Sequence, residues 1–204
     1  MKTVEFIFDF VSPNAYFVHR LISEISSRTN SKLIITPVFL AGIMKETGNQ
    51  PPFQAFAGVK GKINYEMLES RRFIAKHNLN KFVMNPSFPF NSIGIMRAYV
   101  AAQKMGVGSR LFGRIFEAIW EDGINLATTE GLYEVIQNAG FDAHQIIELS
   151  HSQQIKDELA ANTKNAIERG VFGIPSFFVG KELFFGKERL GQIEEMLLPR
   201  DNAY

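Results

Sequence analysis

Two short stretches at opposite ends of the chain place a polar group at a backbone turn where chemistry could be done. The first is Val4–Arg20, VEFIFDFVSPNAYFVHR. Serine is a favoured helix N-cap and proline a favoured first helical residue. Val18, Leu21, Ile22 and Ile25 follow Ser12-Pro13 at helical spacing, so a helix is predicted to start there. The Ser12 hydroxyl then stands where a strand becomes a helix, beside free N–H groups and the positive end of the helix dipole, and that setting favours an anion. A helix cap alone would also explain the serine. The second stretch is GVFGIPSFF, Gly170–Phe178, just before a strand. A cis Ile174-Pro175 bond is expected there, with the preceding backbone turned toward a ligand.

Other chemistries are excluded or disfavoured by composition. The chain has no cysteine, so disulfides, thiolate metal sites and a cysteine nucleophile are ruled out, and any thiol chemistry must use a thiol brought by a ligand. His19, His77, His144 and His151 lack metal-ligand spacing and are expected to be structural or exposed. Asp9, between two phenylalanines, is a candidate buried carboxylate without an identifiable partner. Net charge is +1 and no Lys/Arg cluster alternates with aromatics, so neither nucleic acid nor an anionic membrane is an expected partner. A strand follows the N-terminus within a few residues, with no apolar signal core and no later span long enough for a bilayer; a cytoplasmic protein is expected. With 204 residues, 46% hydrophobic and 21% charged, the chain can build one core, or one domain with another inserted in it.

The elements needed to position these residues can be read in order. Val4, Phe6, Phe8 and Phe10 alternate with Glu5, Ile7, Asp9 and Val11, the period of a half-buried strand. After the first helix, Lys32–Val38 reads as a second strand, with Pro37 suited to an edge or a strand end. From about Ala41 to Gly170 the pattern is helical: Gly42–Thr47, Lys62–His77, Ser92–Met105, Ser109–Trp120, Thr128–Asn138, Asp142–Leu149 and Gln153–Arg169, with caps at Thr128 and Asp142 and stops at Gly140 and Gly170. The Leu111, Phe112, Ile115, Phe116 and Ile119 stripe reads as core packing. Gly48–Gly61 is a long aromatic loop, a candidate lid or dimer arm. Ser176–Val179 and Glu182–Phe185 form a predicted hairpin through Gly180-Lys181, and a last helix covers about Glu188–Leu197. Neither flank has enough strands for a sheet alone, so the fold class is α/β, one unit split by an all-helical insertion.

This order resembles the thioredoxin-like fold of DsbA-like proteins, interrupted by an all-helical insertion: residues 1–40 and 170–204 would form the thioredoxin-like domain and 41–169 the inserted one. Where those proteins carry Cys-x-x-Cys, this chain has Ser12-Pro13-Asn14-Ala15, which excludes disulfide exchange. The chain is more similar to kappa-class glutathione transferases and bacterial 2-hydroxychromene-2-carboxylate isomerases. The motifs are FDFVSPNAY (Phe8–Tyr16), GIMKETGNQPP (Gly42–Pro52), Lys62 with Tyr65, FPFNS (Phe88–Ser92), Met96-Arg97-Ala98, GVFGIPSF and FFGKERL.

The resemblance implies glutathione as cofactor, with Ser12 bonded to its sulfur and Ile174, before Pro175, pairing with its cysteinyl backbone. Asn49 and Lys62, or Lys60 in its place, would meet the glycyl carboxylate side, and Lys187 with Glu188 the γ-glutamyl end. Lys45 and Asn91 would approach the organic substrate, a small aromatic carboxylate or electrophile. A homodimer is implied as well. Glu188 stands where the family commonly has aspartate, and the segment from Asn49 to Lys62 is longer than usual. The FPFNS segment favours the isomerase over the transferase; a module that binds glutathione or protein without catalysis is the alternative from another class.

Overall fold

The computed structural model of the protein describes residues 1–199; the last five residues of the 170–204 segment lie outside the described residues. Strand β1, Thr3–Phe8, buries Val4, Phe6, Ile7 and Phe8 completely. The sequence pattern suggests one buried face, yet Ile7 on the other face is also inaccessible. Side chains on both faces of β1 are thus inside the core, and the sheet order β2-β1-β3-β4 pairs the strand along both edges as well. Strand β1 pairs in parallel with β2, Lys32–Pro37, and antiparallel with β3, Ser176–Val179, which pairs in turn with β4, Glu182–Phe185. Both ends of the chain therefore meet in one sheet, as expected. Pro37 closes β2 on the sheet edge, where its missing N–H leaves no ladder bond unmade. Gly180, with φ +62, makes the tight β3–β4 turn that an L side chain would resist.

Helix α1, Pro13–Arg28, connects β1 to β2. Between β2 and β3 lie α2 (Leu40–Thr47), α3 (Pro52–Ala55), α4 (Lys62–Lys76), α5 (Ile93–Lys104), α6 (Gly108–Trp120), α7 (Thr129–Asn138), α8 (Ala143–Ser150) and α9 (Gln153–Glu168). Thr128 and Asp142 cap α7 and α8 as their sequences predict, accepting from Gly131 N and Gln145 N. The expected loop after Gly48 contains α3, one turn opened by the Pro51-Pro52 pair. The final helix also differs at its start: Lys187–Arg189 form a 3-10 turn before α10, Leu190–Leu197.

The apolar stripe of α6 does go into the core. Phe112 meets Phe8 edge-on at 4.9 Å and Phe116 meets Phe10 at 4.7 Å, with Tyr99 of α5 completing the group. These edge-to-face pairs hold α5 and α6 against β1 and the turn that follows it, each contact adding about 0.5–1.5 kcal/mol beyond burial. At the end of α6 the single tryptophan, Trp120, is wholly buried and donates Nε1–H to Phe10 O at 2.9 Å. Trp120→Phe removes that donor and should lower the unfolding free energy by about 1–3 kcal/mol, through the unsatisfied carbonyl together with lost packing. Urea unfolding followed by circular dichroism measures this; an unchanged midpoint would contradict the role given to the indole.

Candidate active site

Beyond Phe8 the chain leaves the sheet and enters α1 within a few residues, inside the core. Backbone groups in such a turn need protein partners because water is absent. Ser12 N donates to Asp9 O at 3.1 Å, Val11 N to Asp9 Oδ1 at 3.0 Å, and Phe10 N faces Met96 Sδ at 3.5 Å. Ser12 thus arrives in a fixed position. Its Oγ accepts from Ala15 N at 3.2 Å, so the serine is a true N-cap. Because that bond uses a lone pair, the hydroxyl hydrogen must point elsewhere. The protein acceptor it meets is Ile174 O at 3.5 Å, the outer limit of a hydrogen bond. Cap and donor are compatible roles for one oxygen. The first turn of α1 has no acidic residue, which leaves the helix dipole there uncompensated.

The facing wall is the loop that enters β3. Ile174-Pro175 is cis, as expected from the sequence. Asn49 Nδ2 donates to Phe172 O at 2.7 Å, Ser176 Oγ to Gly173 O at 2.7 Å and Gly186 N to Pro175 O at 2.9 Å. Gly173 permits this packing, since a Cβ there would come within 2.8 Å of the Phe185 ring and 3.4 Å of Asn49 Nδ2. Gly186, next to Pro175 through its hydrogen bond, has φ +98 and leads into Lys187. The Lys187 side chain is only 5% exposed; its Nζ donates to Glu188 Oε1 at 2.5 Å and lies 5.6 Å from the Phe73 ring centre. The 3-10 turn carrying both residues packs on α1.

Ser12, Asn49, Ile174, Pro175, Lys187 and Glu188 are therefore linked by direct contacts or through the cis-proline loop. The remaining candidates are less closely tied. Lys62, 37% exposed, pairs with Glu66 at 2.7 Å and sits over the Phe56 and Tyr65 rings. Lys60 and Lys45 are exposed. Asn91 is exposed at the start of α5, where its Oδ1 accepts from Ile93 N at 3.0 Å. His19 is stacked on Phe116, and burial lowers its pKa to about 4, so it is neutral. Among the described residues, no group of three or more His, Asp or Glu side chains is arranged to hold a metal ion, and no helix is long and apolar enough to cross a membrane.

The partners of Asp9 are what sequence reading missed. The carboxylate is fully buried, with Oδ2 accepting from Leu40 N at 2.9 Å and from Ser92 Oγ at 2.8 Å. The available signal was a charge inside the apolar run FIFDF.

A family model described as a DSBA-like thioredoxin domain matches residues 3–198. A 2-hydroxychromene-2-carboxylate isomerase of Sphingobium xenophagum is 27% identical over 197 residues, spanning 97% of this chain and 98% of its own. Glutathione s-transferase kappa 2 of Caenorhabditis elegans is 28% identical over 209 residues, spanning 96% of this chain and 92% of its own. Among solved structures, a 2-hydroxychromene-2-carboxylate isomerase aligns with a TM-score of 0.80 and 24% identity, over 95% of this chain and 93% of that one. This last likeness concerns the fold.

Desolvation raises the Asp9 pKa to about 6, and its three hydrogen bonds only partly oppose that rise. Between about pH 4 and 6 the folded protein therefore holds a proton that the unfolded chain has released. The contribution of Asp9 to stability is greatest below its ordinary pKa and falls as pH rises through about 6. Relative to Asp9→Asn, which cannot titrate, the wild type should lose about 2–3 kcal/mol of unfolding free energy between about pH 4 and pH 7. Urea titrations of both proteins at the two pH values measure the difference; parallel curves would show that the buried carboxyl is not shifted.

Proposed function

The chain belongs to the DSBA-like thioredoxin domain family, and from that premise we propose that it is a glutathione-dependent isomerase interconverting 2-hydroxychromene-2-carboxylate and trans-o-hydroxybenzylidenepyruvate. The observation that carries this reading is the Ser12 hydroxyl. Its oxygen is engaged by Ala15 N, while among the described residues its hydrogen has only the distant Ile174 carbonyl, 3.5 Å away. A donor so placed at an uncompensated helix start suits a thiolate, and a chain without cysteine needs that thiolate from its ligand. Bound glutathione supplies a thiolate that adds reversibly to the substrate double bond, which then turns as a single bond before the thiol leaves.

In this reading Ser12 donates to the sulfur and helps to lower the thiol pKa toward neutrality. The Ile174 backbone, held by Pro175, aligns the cysteinyl unit. Lys187 and Glu188 face the γ-glutamyl carboxylate and amine as an already paired ammonium and carboxylate, so little reorganisation is needed. Asn49 acts chiefly through the Phe172 carbonyl it holds. Lys62 must share its ammonium between Glu66 and the glycyl carboxylate, and Lys60 is its alternative. Lys45 and Asn91 take the carboxylate side of the aromatic substrate. Of the two segments 1–40 and 170–204, the described residues 1–40 and 170–199 form the thioredoxin-like domain in this reading, and residues 41–169 the helical insertion that completes the substrate side. The protein works as a cytoplasmic homodimer.

A kappa-class-like transferase, which would use the same thiolate to conjugate an electrophile, is the second reading. The relative named glutathione s-transferase kappa 2 favours it. An absorbance assay of chromene carboxylate isomerisation, with and without glutathione, separates the two. Our reading expects turnover only with glutathione, and no net loss of the free thiol. Consumption of glutathione by an electrophile without isomerisation would establish the transferase; glutathione affinity with neither reaction would point to a binding module.

A further inference from the structure

Asp9 binds three separate parts of the chain at once. Its Oδ1 takes the Val11 N–H of the turn that presents Ser12, and its Oδ2 takes both the Leu40 N–H at the start of α2 and the Ser92 hydroxyl at the start of α5. Phe39, the cap position of α2, supplies no side-chain bond to that helix, so Asp9 satisfies an α2 donor from outside and lies at the positive end of its dipole. At α5 the serine in the cap position gives its hydroxyl to Asp9 rather than to its own helix, and Asn91 takes over by accepting from Ile93 N. Neither arrangement is the simplest way to cap a helix; both follow from bringing the two helix starts to one carboxylate.

A buried carboxylate is an expensive way to hold a fold together, and apolar packing generally does so at lower cost. Its particular effect here is geometric. The three segments it joins carry Ser12, the α2 run through Lys45 to Asn49, and Asn91. We propose that Asp9 is a positioning residue, setting these three segments in mutual register for bound glutathione and its co-substrate; this rests on the functional reading above. Asp9 does not touch the ligand. It acts through Val11, Leu40 and Ser92.

The test uses the full chain as wild type, Asp9→Asn, Ser92→Ala and Ser92→Thr. An amide can accept at only one of the two positions that the carboxylate oxygens serve, so Asp9→Asn must break part of the junction. Glutathione binding by calorimetry should weaken by about tenfold or more in Asp9→Asn and by a smaller factor in Ser92→Ala, with Ser92→Thr near wild type. Amide hydrogen exchange at Val11 and Leu40 should accelerate about tenfold or more in Asp9→Asn while Phe6 in the sheet keeps its protection. Wild-type glutathione affinity in both Asp9→Asn and Ser92→Ala would overturn the positioning role, as would faster exchange spread evenly through the sheet, since that is the mark of general destabilisation. Should Asp9→Asn fail to fold, the Ser92 pair decides: equal affinity in Ser92→Ala and Ser92→Thr overturns the proposal. A wild-type protein without glutathione affinity would instead overturn the functional reading, and with it the claim that the junction serves that ligand.

Discussion

A chain that leaves the middle strand of its sheet inside the core carries N–H and C=O groups with it that no water can reach. Everything around the Asp9–Ser12 turn answers that constraint. Trp120 supplies a donor for Phe10 O, Met96 lies against Phe10 N, and Asp9 binds Val11 N and Leu40 N. Each answer comes from a different helix or from the turn itself. The insertion helices are thus joined to the sheet by polar contacts as well as by the phenylalanine stack of β1 and α6, and the side chain that follows the turn is held where the helix dipole begins.

The same economy applies to Ser12. A helix start needs an acceptor for its free N–H groups, and a bound anion needs a donor; a serine hydroxyl provides both because its lone pairs and its hydrogen point in different directions. Opposite it, the cis-proline loop has its carbonyls assigned in turn: Phe172 to Asn49, Gly173 to Ser176 and Pro175 to Gly186, with Ile174 left facing Ser12. Of these carbonyls that of Ile174 has the longest bond, 3.5 Å from Ser12 Oγ, and in the proposed reading this is the backbone that a peptide-like ligand meets. In the proposed reading, this is the chemical content of Ser12-Pro13-Asn14-Ala15 standing where DsbA-like proteins carry Cys-x-x-Cys: the thiol would come from the ligand, held by the scaffold that otherwise orients a protein thiol.

The features legible in the sequence were those with local causes. Ser-Pro at a strand end, the Gly180-Lys181 turn, the Thr128 and Asp142 caps and the α6 stripe each depend on neighbours within a few residues, so spacing reveals them. Two of the three partners of Asp9, Leu40 and Ser92, were illegible because they stand 31 and 83 residues away. Burial of Ile7 depends on what packs over the second face of β1, which the alternation within a single strand does not record. Phe88-Pro89 is also cis, and nothing in FPFNS distinguished it from a trans bond. Lys62 shows the opposite case: its Glu66 partner stands four residues on, an i,i+4 pair that spacing alone reveals.

The central claim is that the Ser12 hydroxyl stabilises a ligand thiolate, and titrating the thiolate absorbance of bound glutathione in wild-type and Ser12→Ala protein tests it most directly. The account predicts an apparent thiol pKa in the wild-type complex about one to two units below that of free glutathione, rising by about one unit or more in Ser12→Ala as roughly 1.4 kcal/mol of selective stabilisation is lost. Identical titration curves, from a variant that still binds glutathione, would contradict it and assign the thiolate to backbone N–H groups alone.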